Sequence, residues 1–355
     1  MRATNWVGDA VMALPGLRAL RRRFPDSQIC LLAMPGIAGL YARETWVSEV
    51  ILLEGARGAR DWSRKWRQAR DLARRRFDLA LLFTNSFESA ALFAAARIPW
   101  RAGYARDGRT LLLTQAVPPP RRGEIPRHES YYYLELLKRA GLLPEGCWPP
   151  EDEMVIRLEG IEAAQAAGRA RLDAEFDAGQ PVIGVSPGAA YGTAKRWLPE
   201  RFAEAARLLA GRHGGAGVAV FGTPDEQELC EQVAAAAGGK SFAGQTRLAE
   251  FIDMAAACTA FLTNDSGSMH IASALGLPTV AVFGATDHVG TGPTGPLARV
   301  VRHAVDCSPY PHPCLKRFCP IDHRCMKAVS AAEVADEAGK LVEVRRRAGE
   351  IRDNS

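Results

Sequence analysis

No run of residues here is long and apolar enough to span a bilayer, which takes about 18–20 of them. The residues near Met1 show no apolar signal region, so the expected address is the cytoplasm. Cysteine is too sparse for a disulfide scaffold: there are eight in 355 residues, and a reducing compartment keeps such residues as thiols. None of them forms a C-x2-C pair, and no repeat of solenoid length appears. A nicotinamide dehydrogenase needs G-x-G-x-x-G between a strand and a helix. Gly290-Thr-Gly-Pro-Thr-Gly295 has that spacing, but proline and threonine break it up and no helix pattern follows it.

The length allows two ordinary domains. Hydrophobic residues make up 47% and charged residues 24%, a globular mixture. The net charge of +5 is uneven. Residues 1–176 carry 27 basic against 21 acidic side chains, and the remainder 18 against 19. Arg57–Arg76 alone holds nine basic residues and two acidic ones, Asp61 and Asp71. Trp62, Trp66, Ala69 and Ala73 recur through it at helical spacing. Such a helix suits an anionic membrane surface or an acidic substrate, and a plain solvated helix fits equally. No nucleic-acid-binding motif accompanies the charge, so nucleic acid is not expected as a partner.

Strand and helix patterns alternate almost throughout. Apolar runs at 29–33, 50–53 and 79–83 read as buried parallel strands. Residues 10–23 read as one amphipathic helix with Val11, Leu14, Leu17 and Leu20 inside. A helix over 161–176 precedes a polar Gly/Pro-marked break at 177–181, the expected domain boundary. Beyond it, strands are expected at 182–186, 218–221, 261–263 and 279–283. Helices are expected at 199–212, 226–237, 248–257, 268–276 and 331–348. This pattern predicts an α/β protein of two doubly wound lobes, 1–176 and 177–330, followed by a C-terminal helix and tail over 331–355. Ligands are expected at the C-terminal strand ends and in the cleft between the lobes.

Three segments carry candidate chemistry. Asn5-Trp-Val-Gly-Asp-Ala10 is a polar turn that opens a helix; Asp9 there reads as a base or as a first-turn acid favoured by the dipole. Ser186-Pro-Gly-Ala-Ala-Tyr-Gly-Thr-Ala-Lys-Arg-Trp197 links a strand to a helix. Its small residues, Ser186 and Gly188 among them, let backbone N–H groups approach an anion, and Lys195 can supply a point charge, though a surface lysine also fits. The segment lacks the Gly-Lys-Ser/Thr ending of a Walker loop. In Leu262-Thr-Asn-Asp-Ser-Gly-Ser-Met-His-Ile-Ala272, a helix begins just after a strand, and its unpaired N–H groups suit a diphosphate. His270 lies near that start beside Asp265 and Ser266.

Taken together, NWVGDAVMALP at 5–15, the PGxxYGxAKRW stretch at 187–197 and TNDSGSMHIASALGLP at 263–278 resemble the heptosyltransferases of glycosyltransferase family 9. The likeness runs over essentially the whole chain, in order. It implies a GT-B fold with an N-terminal acceptor lobe, and a C-terminal lobe that holds ADP-heptose. The implied reaction is inverting transfer of L-glycero-D-manno-heptose to the inner-core heptose of lipopolysaccharide. Family members with another acceptor, and a catalytically inactive nucleotide-binding paralogue, are the alternatives. By resemblance, Asp9 is the general base, with Asn5 beside it as an acceptor contact. Lys195 stabilises the departing diphosphate, which Asp265, Ser266, Gly267 and His270 help to bind. Glu226 contacts the nucleoside, and Thr246 lies near the adenine. Contact with the inner face of the inner membrane would suit the lipid acceptor.

No Asp-x-Asp stands near the donor motifs, so no cofactor is expected. Cys307, Cys314, Cys319 and Cys325 are nonetheless candidates for a structural zinc, although their spacing fits no finger or ribbon. The start of the chain is the other unusual feature. Only Met1-Arg-Ala-Thr4 precedes the Asp9 turn, fewer residues than the roughly five or six of a typical strand. A poorly held turn, and a native start upstream of Met1, are the expectations.

Overall fold

The computed structural model describes residues 1–54, 61–144, 148–150, 154–309 and 311–353. Arg57 and Arg60 of the basic stretch lie outside them. The chain forms two compact units, Met1–Met154 and Val155–Ser355. Among the described residues no helix is long and apolar enough to cross a membrane.

The first unit contains helices α1 (Val7–Met12) and α2 (Leu14–Arg23), then strands β1 (Cys30–Ala33) and β2 (Glu49–Leu52). Next come α3 (Trp62–Arg74), β3 (Leu79–Leu82), α4 (Phe87–Ala95), β4 (Trp100–Tyr104), β5 (Gln115–Val117) and α5 (Ser130–Arg139). The helix expected over 10–23 is thus two. Pro15 cannot donate a backbone hydrogen bond, and the helix is interrupted at Ala13, two residues before it. The first piece begins at Val7, which puts Asp9 in its first turn.

Strands β1 and β2 pair in parallel, as do β3, β4 and β5. The two sets are joined by Met1–Ala3. Arg2 bridges Leu32 on one side and Leu82 on the other. Arg2 N–H donates to Leu81 O, Ala3 N–H to Leu32 O, Leu32 N–H to Met1 O and Phe83 N–H to Arg2 O, at 2.7–3.2 Å. A segment shorter than a typical strand therefore takes the central place, because its few peptide groups pair on both sides. The Asp9 turn is anchored rather than poorly held. Burial pushes the α-amino group of Met1 down to about 6, and that group donates to Cys30 O at 2.6 Å.

The second unit contains α6 (Ile161–Asp173), β6 (Val182–Ser186), α7 (Pro199–Arg212), β7 (Gly217–Val220) and α8 (Gln227–Ala237). It continues with β8 (Lys240–Ser241), α9 (Leu248–Ala256), β9 (Ala260–Asn264), α10 (Gly267–Ala274), β10 (Thr279–Val282), β11 (Ala298–Val301) and α11 (Ala331–Asp353). All six strands are parallel, in the order β11-β10-β9-β6-β7-β8. This is a doubly wound sheet whose order reverses between β6 and β9, the place where such sheets bind ligands. Its core includes Ile183, Val185, Trp197, Phe202, Val220, Leu262 and Val282.

The division at 154/155 replaces the expected boundary at 176/177. Helix α6 packs against α9, and Leu158 N–H donates to Ala274 O. The polar stretch at 177–181 that looked like a linker is a turn held by Gln180, whose carbonyl accepts from Arg169 and whose amide donates to Gly215 O. The C-terminal helix α11 is no separate piece either: it packs on α7 and β10.

Candidate active site

In the second unit the loops after β6 and β9 lie side by side because their strands are paired. Asn264, buried at the end of β9, ties the loops together: it accepts from Trp197 N–H at 2.9 Å and donates to Pro187 O at 2.7 Å. Lys195 is thereby held over the next residue, with its Nζ 2.6 Å from Asp265 Oδ2. Thr286 donates to the same oxygen at 2.6 Å. Asp265 is 5% exposed and Lys195 15%, so the pair is largely dry but open on the lysine side. The Lys195 ammonium also lies 4.9 Å from the Tyr191 ring centre, within cation–π range.

Ser266 is the N-cap residue of α10, yet its side chain makes no cap bond. Its hydroxyl pairs instead with those of Thr263 and Ser268, and Ser268 donates to Ser186 at 2.8 Å. No acid stands in the first turn of α10. The backbone N–H groups from Gly267 onward, with Lys195 close by, form the start of an anion site. His270 is buried one turn in. The Glu226 carboxylate rests on Gly188, where an added Cβ would come within 2.1 Å of Oε1. Glu226 also accepts from Thr223 N–H at 3.0 Å. Thr246 is half-buried in the loop after β8.

Ser186, Gly188, Lys195, Glu226, Asp265, Ser266, Gly267 and His270 are thus gathered at the C-terminal edge of one sheet. Sequence reasoning missed Asn264 and Thr286, which hold the loops and the pair in place. It also missed the part played by Arg317, beyond β11. There Arg317 Nε donates to Tyr191 O at 2.5 Å and Arg317 O accepts from Ala194 N–H, buttressing the lysine loop.

Among the described residues no group of three or more His, Cys, Asp or Glu side chains is arranged to hold a metal ion. Cys325 is turned into the core, where its Sγ would sit 2.7 Å from a Cβ added at Gly284. Cys319 Sγ accepts from His323 N–H. Burial raises the Cys325 thiol above its ordinary pKa, with the neighbouring Cys314, Cys307 and Cys319 adding to the shift.

In the first unit, Asp9 is half-buried in the first turn of α1, which follows the central segment of the sheet. The Asn5 side chain accepts from the buried Arg2 guanidinium. Burial first, and the Asp9 charge second, push Glu129 from 4.5 up to about 7. The unfolded chain releases that proton near the ordinary value. The stability linked to it is therefore fully present below about 4.5 and is lost as pH rises through about 7. Glu129→Gln is expected to shrink the fall in melting temperature between pH 5 and pH 8; an unchanged fall would show that Glu129 is not so perturbed.

On α3 the core-facing residues are Gln68, Ala69 and Leu72. Trp62 and Trp66 are 71% and 61% exposed among the arginines, so the aromatic positions face solvent rather than the core.

Two doubly wound parallel units, one with a lysine–aspartate pair beside an uncapped helix start, define a glycosyltransferase of the GT-B class. The chain belongs to glycosyltransferase family 9 (heptosyltransferase), whose sequence model matches residues 65–323. It is 32% identical over 308 residues to lipopolysaccharide heptosyltransferase 2 of Salmonella typhimurium, covering 84% of this chain and 86% of that one. The Escherichia coli protein of the same name is 31% identical over 309 residues, with the same coverage. The solved structure of the E. coli ADP-heptose lps heptosyltransferase II superposes with a TM-score of 0.80 at 27% identity, covering 97% of this chain and 98% of that one.

Proposed function

We propose that this protein is an inverting glycosyltransferase that moves L-glycero-D-manno-heptose from ADP-heptose to the inner-core heptose of lipopolysaccharide. The observation that carries this reading is the Lys195–Asp265 pair beside the α10 start, at the switch point of the second unit's sheet. A diphosphate there meets a cation and a row of N–H donors. Glu226 and Thr246, on the loops after β7 and β8, take the nucleoside end. Asp9 removes the proton of the acceptor hydroxyl as its oxygen attacks the anomeric carbon and the bond to the diphosphate breaks. ADP leaves with its negative charge stabilised by Lys195 and the α10 dipole. An intact Asp9 and Lys195 count against an inactive paralogue. Incubation with ADP-heptose and truncated core lipids is expected to release ADP and add one heptose to the lipid by mass; no transfer to any core lipid would overturn the reading.

The exposed tryptophans and arginines of α3 suit the anionic face of the membrane that carries such an acceptor. No metal is required in this scheme, because Lys195 and backbone donors perform the neutralisation. Activity is expected to persist in EDTA, and loss with rescue by Mg²⁺ would contradict it. About one equivalent of zinc in the purified protein, lost with Cys319→Ser and Cys325→Ser, would support the metal reading for the cysteine segment.

A further inference from the structure

We propose that Arg317 is a further donor-binding residue, whose guanidinium meets the diphosphate of ADP-heptose beside Lys195; this rests on the reading of the second unit as the donor site. Beyond β11 the chain returns to the loops that follow β10 and β6. Leu315 N–H donates to Ala285 O at 2.7 Å, one residue before the threonine that holds Asp265. Two residues on, Arg317 clasps the lysine loop. Its Nε donates to Tyr191 O at 2.5 Å, and its carbonyl accepts from Ala194 N–H at 3.2 Å. The Tyr191 hydroxyl donates back to Leu315 O at 3.4 Å. Gly192 makes this approach possible, since a Cβ there would come within 2.2 Å of Arg317 O. The loop that carries Lys195 thus keeps a glycine where the Arg317 backbone must pass.

Two cations border one ring. Lys195 Nζ lies 4.9 Å from the centre of the Tyr191 ring, and Arg317 Cζ lies 6.0 Å from it. The Phe318 ring centre is 5.8 Å from the same guanidinium. Among the described residues no carboxylate or carbonyl pairs with the two terminal nitrogens of Arg317. Lys195 stands differently. It is 2.6 Å from Asp265, so the pair as a unit carries no net charge. The diphosphate of a sugar nucleotide is a dianion, and backbone N–H groups oppose it only with partial charges. Arg317 adds the net positive charge, in a fork that matches two phosphate oxygens.

Exposure divides the work of the two cations. Lys195 is largely dry, where charge gathering on the departing ADP is felt strongly. Arg317 is exposed, so water and salt screen it, and it serves bound donor and departing ADP alike. Its contribution is therefore to affinity rather than to rate.

Calorimetry with ADP, inorganic pyrophosphate and adenosine tests this. At low salt, Arg317→Ala is expected to weaken ADP and pyrophosphate about tenfold, the scale of one screened charge-assisted contact, and adenosine less than about twofold. The loss is expected to shrink as salt rises to about 0.5 M. Arg317→Lys keeps the charge without the fork and is expected to recover part of it. In heptose transfer, Arg317→Ala is expected to raise KM for ADP-heptose about tenfold with kcat within about threefold of wild type. Unchanged ADP affinity in Arg317→Ala overturns the proposal, and so does adenosine weakened as much as ADP, which would mean a collapsed loop. A fall in kcat as large as the rise in KM would reduce Arg317 to a prop for Lys195. Equal weakening by Lys316→Ala, which removes the exposed charge next to it, would reduce it to general surface charge. If wild type binds pyrophosphate but not ADP, the donor reading fails, and the response of pyrophosphate to Arg317→Ala still decides whether the guanidinium meets the anion. Binding of neither overturns both.

Discussion

Asp9→Asn is expected to cut turnover by about 10²–10⁴-fold, the usual worth of a positioned general base, while leaving ADP binding and folding close to wild type. The amide keeps the shape of the carboxylate but cannot accept the acceptor proton. Helix α1 is held by Ala10, Val11 and Met12, all buried, and by the Met1–Ala3 backbone pairs behind it. The lost interaction with the helix dipole is worth about 0.3–1 kcal/mol, and relief of the like charge at Glu129 offsets it. In the proposed scheme ADP binds to the other unit, so calorimetry with ADP checks that the variant is intact. Near wild-type turnover in Asp9→Asn would remove the base from the scheme.

Much of the second unit could be read from its residues, and the reasons are local. The strand over 182–186 is an unbroken apolar run buried on both faces, and the helix over 199–212 is opened by proline in its first turn. Lys195 and the helix start at Gly267 are recognisable because each lies on the segment that links a strand end to the next helix. What escaped reading depends on partners far along the chain. Thr286 meets Asp265, and Arg317 meets Tyr191, across gaps that no spacing rule bridges. Glu129 carries no signal in its own neighbourhood; only folding buries it and exposes it to the charge of Asp9. The Met1–Ala3 segment was undervalued for the opposite reason. Its length was judged by strand statistics, whereas its role follows from lying between two strands that both need partners. At 177–181 composition misled, since a turn and a linker share the same residues.

Lys195→Ala is expected to lower turnover by about 10²–10³-fold, the scale of removing one preorganised donor to a developing anion. It should also weaken ADP binding, because the diphosphate carries charge before the reaction as well as during it. A stability effect will accompany it and must be separated. Without the ammonium, Asp265 is left 5% exposed with Thr286 as its remaining polar partner among those described. Breaking a buried ion pair by removing one member costs about 3–5 kcal/mol; the open side of Lys195 puts this pair below that range. The double variant Lys195→Ala with Asp265→Asn tells the two effects apart. Neutralising both members removes the stranded charge, so the melting temperature is expected to recover most of its loss. Turnover is not expected to recover, because nothing then meets the charge that gathers on the diphosphate as the sugar departs. Recovery of both would mean that Lys195 serves only to balance Asp265, and that the diphosphate is stabilised elsewhere.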